Sequence, residues 1–258
     1  KGRSKKEILI HTYICHPSMA NNETSGPIVC TYLAKYFKKR KNYYTYRFVF
    51  TPETVGAIAY INKNLKNLIK NIIGGYVITC VGDNKNFSFL ESKNKSISNR
   101  VAEKTFKELN IRYKKYSFLK RGSDERQYNA PGIDLPIGAI MRSKPGTFKE
   151  YHTSKDDFNL VTKDGLEKSF ETIKKVLINF DNEIIPLNKH ICEPFLTKRD
   201  LYPTLSTGKI SKKIEKIIDF LMFCDGKNAL DDIAHNIKID KKKTTEIFNL
   251  LKSKKLII

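Results

Sequence analysis

Four residues of the kinds that bind metals or move protons each follow an apolar, strand-like run: His16, Glu53, Asp83 and His152. His16 closes the run 8–15 and is followed at once by Pro17, which has no backbone N–H and so stops sheet pairing. Glu53 sits in the turn after FVFTP, Asp83 follows YVITCVG, and His152 lies in EYHTSKDD, beyond the run 135–141. In an α/β sheet, side chains at the carboxyl ends of buried strands share one rim and rest on a rigid support. Imidazoles and carboxylates are Zn²⁺ ligands, and a spare carboxylate beside them can act as a base. This inventory suits metal-assisted hydrolysis. Each residue alone also has a structural reading. Asp83 could cap a turn and Glu53 could face solvent. Asp124, Glu125 and Arg126, in GSDERQY, could be a surface ion cluster or a network that holds the site. It is the four in order that favours a metal site.

The elements that must position these residues are legible as alternating periods. Runs 8–15, 44–50, 75–81 and 135–141 are rich in β-branched and aromatic residues and read as strands. Residues 27–40, 57–65, 99–109 and 162–180 read as helices, with Val29, Leu33 and Phe37 on one stripe and Leu166, Phe170, Ile173, Val176 and Leu177 on another. Strand–helix alternation predicts an α/β domain over residues 1–185, with a mostly parallel sheet and helices on both faces. Residues 186–208 hold Pro186, Pro194 and Pro203 and little periodicity. They are expected to be a connector packed on the main domain. From 209 to 258 the stripe Ile214, Ile217, Ile218 and Leu221, two more short helices and a β-prone tail predict a winged helix-turn-helix, with Asp240 capping its third helix.

Bulk composition narrows the class. At 258 residues and 40% hydrophobic content the chain can bury a full core. No apolar run approaches the length of a membrane span. The chain starts on Lys1 rather than Met, and a further N-terminal portion is expected. The five cysteines, at 15, 30, 80, 192 and 224, lack paired spacing. They predict a reducing, cytoplasmic setting without a disulfide framework. The formal charge of +21 is mostly Lys, accompanied by many Asn and Ile. It fits an AT-rich coding bias, with an anion-binding surface as the alternative.

The motifs in order resemble the bacterial zinc aminopeptidase and glutaminyl-cyclase superfamily. That superfamily has a strand-end His, an Ala-Asn-Asp-Asn-Ala-Ser-Gly loop, a Glu-Glu-x-Gly turn, a strand-end Asp, a Ser-Asp-His loop and a late His-Thr. Here they read His16, Ala20-Asn21-Asn22-Glu23-Thr24-Ser25-Gly26, Glu53-Thr54-Val55-Gly56, Asp83, Ser123-Asp124-Glu125 and His152-Thr153. More closely, the chain is similar to a group of bacterial aminopeptidase-like proteins that carry a C-terminal winged helix and are linked with surface-polysaccharide gene clusters. The resemblance implies Glu53 as general base and His16, Asp83 and His152 as metal ligands. Two departures stand out: Asn22 takes the place of the Asp that bridges two zinc ions, and Thr54 the place of a Glu ligand. One Zn²⁺ is therefore expected, with Glu23 a substitute carboxylate if the loop is shifted by one.

What the resemblance implies is a zinc-dependent hydrolase acting on an amide or peptide bond of a small peptide or aminoacyl amide. Glu150, Asp124 and Glu125 are the candidates to hold a substrate amine. The alternative is a catalytically degenerate metal-binding scaffold whose winged helix docks protein or nucleic acid. Residues 209–258 hold twelve Lys and seven acidic residues, a net +5, and no Arg. Since Arg is the commonest reader of guanine edges, docking is favoured over sequence-specific DNA binding.

Overall fold

The structure, a computed structural model, describes residues 1–203 and 210–258. The expected boundary at 208/209 lies outside the described residues. The chain divides into two units, Lys1–Asn182 and Glu183–Ile258.

The first unit is built on a six-stranded sheet of order β2-β1-β3-β6-β4-β5. Its strands are β1 (Glu7–Tyr13), β2 (Thr45–Thr51), β3 (Ile72–Ile78), β4 (Phe87–Leu90), β5 (Tyr113–Tyr116) and β6 (Ile137–Met141). The four strands expected from the sequence form its parallel half: β1 pairs with β2 and β3, and β3 pairs with β6. Both β1 and β3 are buried along their whole length, which explains their near-continuous apolar character. β4 and β5 were not foreseen. They are only four residues each, too short for a period to show. β4 runs antiparallel to β6 and makes the sheet mixed.

Helices cover both faces. α1 (Ser25–Lys39), α3 (Ile97–Glu108) and α5 (Lys163–Asp181) pack together on one; α2 (Val55–Asn71) and the single turn α4 (Glu125–Tyr128) pack together on the other. α1 buries Val29, Leu33 and Phe37, the stripe read from the sequence. Ser96 and Thr162 cap α3 and α5 by accepting from the N–H groups of Asn99 and Gly165. α1 starts unusually close to the sheet. A Cβ on Gly26 would lie 2.5 Å from Oγ1 of Thr12 and 2.6 Å from the carbonyl oxygen of Ile78. Only a residue without a Cβ lets the helix seat there.

The second unit holds α6 (Lys212–Met222), α7 (Leu230–Asn236) and α8 (Lys241–Ser253). Ile217, Phe220, Ile233, Phe248 and Leu251 form its core. Asp240 caps α8, accepting from the N–H of Lys243 at 2.8 Å. Residues 183–203 differ from the expected connector. Leu196 and Leu201 belong to the core of this second unit, Leu187 bridges to Asp225, and Asn188 bridges to Ile257 of the tail. Isolated bridges and scattered prolines carry no period, so the sequence could not assign the segment to a core.

The tight seat of α1 makes Gly26→Ala costly, by about 1–3 kcal/mol as in other overpacked sites. Urea unfolding measures it. Gly122→Ala, where the nearest atom is Nζ of Lys144 at 3.8 Å, should leave the midpoint nearly unchanged.

Candidate metal centre

After β1 the chain crosses residues 14–19 and enters a turn of π-helix, Ala20–Thr24, that runs directly into α1. Such turns are rare and cluster at functional sites. Its backbone is tied down by Asp156, whose two carboxylate oxygens accept from the N–H groups of Asn21 and Asn22 at 2.6 and 3.0 Å. Asp156 is buried, and the sequence had assigned it nothing. Its position four residues after His152 was the available signal. Asn21, fully buried, accepts from the N–H of Gly82 at 2.8 Å and donates to Asp83 at 2.9 Å.

This turn brings Glu23 back over the end of β1. The donor atoms of Cys15, His16 and Glu23 all lie within 4.8 Å of one another. Ligands bonded at about 2.0–2.3 Å to one Zn²⁺ can be at most about 4.6 Å apart, and the spacing here is close to this bound. The ring of His152 lies beside that of His16, centroids 4.8 Å apart, and stacks on Tyr151 at 3.9 Å. His152 has a left-handed backbone, φ 56°, unusual outside glycine. Imidazole, carboxylate and thiol donors fit a zinc ion chemically.

Asp83 stands differently. It is buried at the loop after β3, and its oxygens accept from the N–H of Lys85 at 2.7 Å, Nδ2 of Asn21 at 2.9 Å and the N–H of Ser143 at 3.3 Å. Among the described residues neither Asp83 nor His152 is part of the close donor group. Glu23 is the carboxylate nearest His16. It accepts from the N–H of Cys15 at 2.7 Å and from Nδ2 of Asn22 at 2.9 Å. Burial raises its pKa above the ordinary carboxylate value, with the Cys15 N–H opposing.

Glu53 lies on the same rim; its charge raises the pKa values of both Cys15 and Glu23, after burial and nearer groups. Burial raises the pKa of Glu53 itself, the hydrogen bond from Oγ of Ser123 (3.0 Å) lowers it, and the charge of Asp124 raises it. Thr54, a β-branched residue at φ 58°, carries the strain that clusters at working sites. It is pinned by Asp124, which accepts from its N–H at 2.8 Å, and by Arg126, which donates to its Oγ1 at 3.0 Å. The other oxygen of Asp124 is 3.0 Å from Nε2 of His11, both side chains fully buried. That contact is close but not aligned as a hydrogen bond, since the same oxygen has no hydrogen-bond partner. Nδ1 of His11 lies 2.6 Å from the Tyr128 hydroxyl. His11, fully buried in β1, thus joins the support of the Glu53 turn.

Asp124 and Glu125 form an internal network rather than a surface cluster. Glu125 is buried, and accepts from the N–H groups of Gly122 and Ser123 at 2.8 and 3.1 Å. Burial leaves neither carboxylate to receive a substrate amine. Glu150 is 3.6 Å from Nζ of Lys85.

Residues 1–183 match the family described as Domain of unknown function (DUF4910), and residues 184–258 match a winged helix-turn-helix family. The chain belongs to the DUF4910 family. A Clostridium acetobutylicum protein, named as a candidate polysaccharide biosynthesis protein with aminopeptidase-like domain, is 40% identical over 239 residues, covering 91% of this chain and 54% of that protein. The crystal structure of a candidate peptidase from the same organism is 36% identical, with a TM-score of 0.70, over 100% of this chain and 58% of that one. The chain thus spans little more than half the length of these relatives. A zinc aminopeptidase from Bacillus subtilis shares the fold at 14% identity and a TM-score of 0.58, over 67% of this chain and 46% of its own. These likenesses bear out the resemblance read from the motifs: the first domain is aminopeptidase-like and the second a winged helix.

The raised pKa of Glu53 has a consequence for folding. A carboxyl that holds its proton more tightly when folded stabilises the fold fully below its unfolded pKa. That contribution is lost as pH rises through the folded pKa. Glu53→Gln lacks this loss. Denaturation of metal-free protein between pH 4 and pH 8 should show the stability of wild type relative to Glu53→Gln falling as pH rises.

Proposed function

We propose that the first domain is a zinc-dependent hydrolase of amide or peptide bonds, with His16, His152 and Glu23 holding one ion and Glu53 as the base. The observation that carries this reading is the close set of Cys15, His16 and Glu23 donors, with the His152 ring against that of His16 and Glu53 near enough to act on Glu23. The zinc named in the Bacillus subtilis neighbour supports it. Bound there, the ion would polarise a substrate carbonyl and acidify water. Glu53 takes a proton from the attacking water and passes it to the leaving amine; its raised pKa suits both halves of that task. Ser123 orients one Glu53 oxygen by donating to it, and Asp124, through the Thr54 N–H, fixes the turn. Asp83 holds the loop behind the site and is a further ligand candidate.

A single ion follows from how the two substituted positions are used. Nδ2 of Asn22 donates to Glu23, and Oγ1 of Thr54 accepts from Arg126. Neither offers the charge a second cation needs. Substrates are small peptides or aminoacyl amides in this reading. We further place the chain in a reducing cytoplasm, in keeping with five free cysteines, two of them exposed. No described helix is long and apolar enough to cross a membrane. The winged helix serves as a docking module for protein, or for nucleic acid through the lysines at the start of α8.

A second reading, a degenerate metal-binding scaffold with the winged helix as its output, is favoured by the same two substitutions. Elemental analysis of protein purified without chelator should find one zinc per chain, and two would overturn the assignment of Asn22. His16→Ala and His152→Ala should each lose the metal. Glu53→Gln should keep it while cutting hydrolysis of aminoacyl amides by about 10²–10⁴-fold. Wild type that holds zinc yet is inert on the whole panel would make the second reading the better one.

A further inference from the structure

A sizeable cavity of the first domain lies away from the candidate metal centre. It measures about 610 Å³ and lies between the loop 84–86, Phe87 of β4, the segment after α3 and the outer side of α5. None of the metal-centre residues lines it. That volume is typical of small-molecule sites. Its charge is one-sided. Lys85, Arg112, Arg142, Lys168, Lys174 and Lys175 line it against a single acid, Glu171.

Arg142 separates this cavity from an ordinary solvated basic surface. It is only 5% exposed, and no described carboxylate lies within ion-pair distance of it. Nε donates to Oγ of Ser169 at 2.9 Å and Nη1 to the carbonyl of Lys85 at 2.6 Å, while the guanidinium rests 4.5 Å over the Phe87 ring. These neutral partners orient the guanidinium; burial lowers its pKa, and the charges of Asp83 and Asp164, beyond ion-pair distance, oppose that shift. Nη2 makes no described hydrogen bond. A buried cation with no direct ion pair is costly to the fold unless something compensates it. The lysines around it are held by largely exposed pairs: Lys168 with Asp164 and Lys175 with Glu108, both 2.8 Å, Lys174 with Glu171 at 2.6 Å and Lys85 with Glu150 at 3.6 Å. Such pairs are weak and readily exchanged for a ligand anion. Half-buried or exposed Leu109, Ile111 and Ile178 supply an apolar wall.

We propose that this cavity binds an organic phosphate, its phosphate set on Arg142 and the flanking lysines and its apolar body along Leu109, Ile111 and Ile178. A planar, always-charged guanidinium matches phosphate oxygens in paired hydrogen bonds, and several cations around it favour a dianion over a carboxylate. The site also touches the metal centre through one residue. Lys85 gives its carbonyl to Arg142 and its N–H to Asp83. The binding claim itself does not depend on hydrolysis.

Isothermal titration of the 258-residue chain with phenyl phosphate, inorganic phosphate, phenylacetate and benzyl alcohol tests it. Phenyl phosphate should bind at one site per chain, about tenfold or more tighter than inorganic phosphate or phenylacetate, with benzyl alcohol silent. Binding should weaken with salt. Arg142→Gln should weaken it at least tenfold. Should that buried substitution impair folding, the exposed-helix variant Lys168→Glu/Lys175→Glu should give the same loss in a folded chain. No saturable binding of phenyl phosphate, equal binding of phenylacetate, or undiminished binding by the lysine variant would overturn the proposal.

Discussion

The rim of the first domain depends on the burial of one neutral side chain, the amide of Asn21. A buried amide without partners costs several kcal/mol. Here it bonds the Gly82 N–H on one side and Asp83 on the other, while its backbone N–H reaches Asp156. The exit of β3, the approach to α5 and the turn before α1 are thereby locked to each other. The absence of a Cβ at Gly26 completes the lock, because α1 then presses directly on Thr12 and Ile78. With the turn fixed, Glu23 is held over the end of β1 and beside His16. The placement of Glu23 beside His16 is inherited from a hydrogen-bonded turn.

The same economy governs the Glu53 turn. Glu53 occupies a strained turn whose next residue, Thr54, is in a left-handed conformation. Asp124 and Arg126 hold that residue, and His11 and Tyr128 back Asp124 from inside the sheet. Strain of this kind persists only where the surroundings over-determine it. The substitution of Asn22 for a bridging carboxylate is not a simple deletion. The amide is reused as a donor to Glu23, so the position steadies the carboxylate beside His16.

The two units use charge differently. In the first, lysines and a buried arginine converge on a cavity with an apolar wall, and their number exceeds local acids. In the second, lysines at the start of α8 are partly answered by Asp231 and Asp240, and the core is made of Ile, Leu and Phe. A chain with a net charge of +21 therefore carries a basic surface that is patterned, in one place at least, around a concavity.

The order of the chemistry was legible from the residues alone. His16, Glu53, Asp83 and His152 follow strand-like runs, and the parallel half of the sheet, the stripe of α1 and the cap at Asp240 all follow from local period and cap chemistry. These are properties of residues close in sequence, which is why they can be read there. Which carboxylate stands beside His16 is not local. It depends on a π turn that rotates Glu23 inward, and on an Asp156 more than a hundred residues away that satisfies the turn's N–H groups. The partnership of His11 with Asp124 and the membership of Leu196 and Leu201 in the second core are likewise set by packing. So is the lack of a direct ion pair at Arg142, which is visible only once every neighbour is in place. Sequence determined which groups could do chemistry and roughly on which rim; tertiary structure decided which of them meet, because buried polar groups must find partners wherever the fold places them.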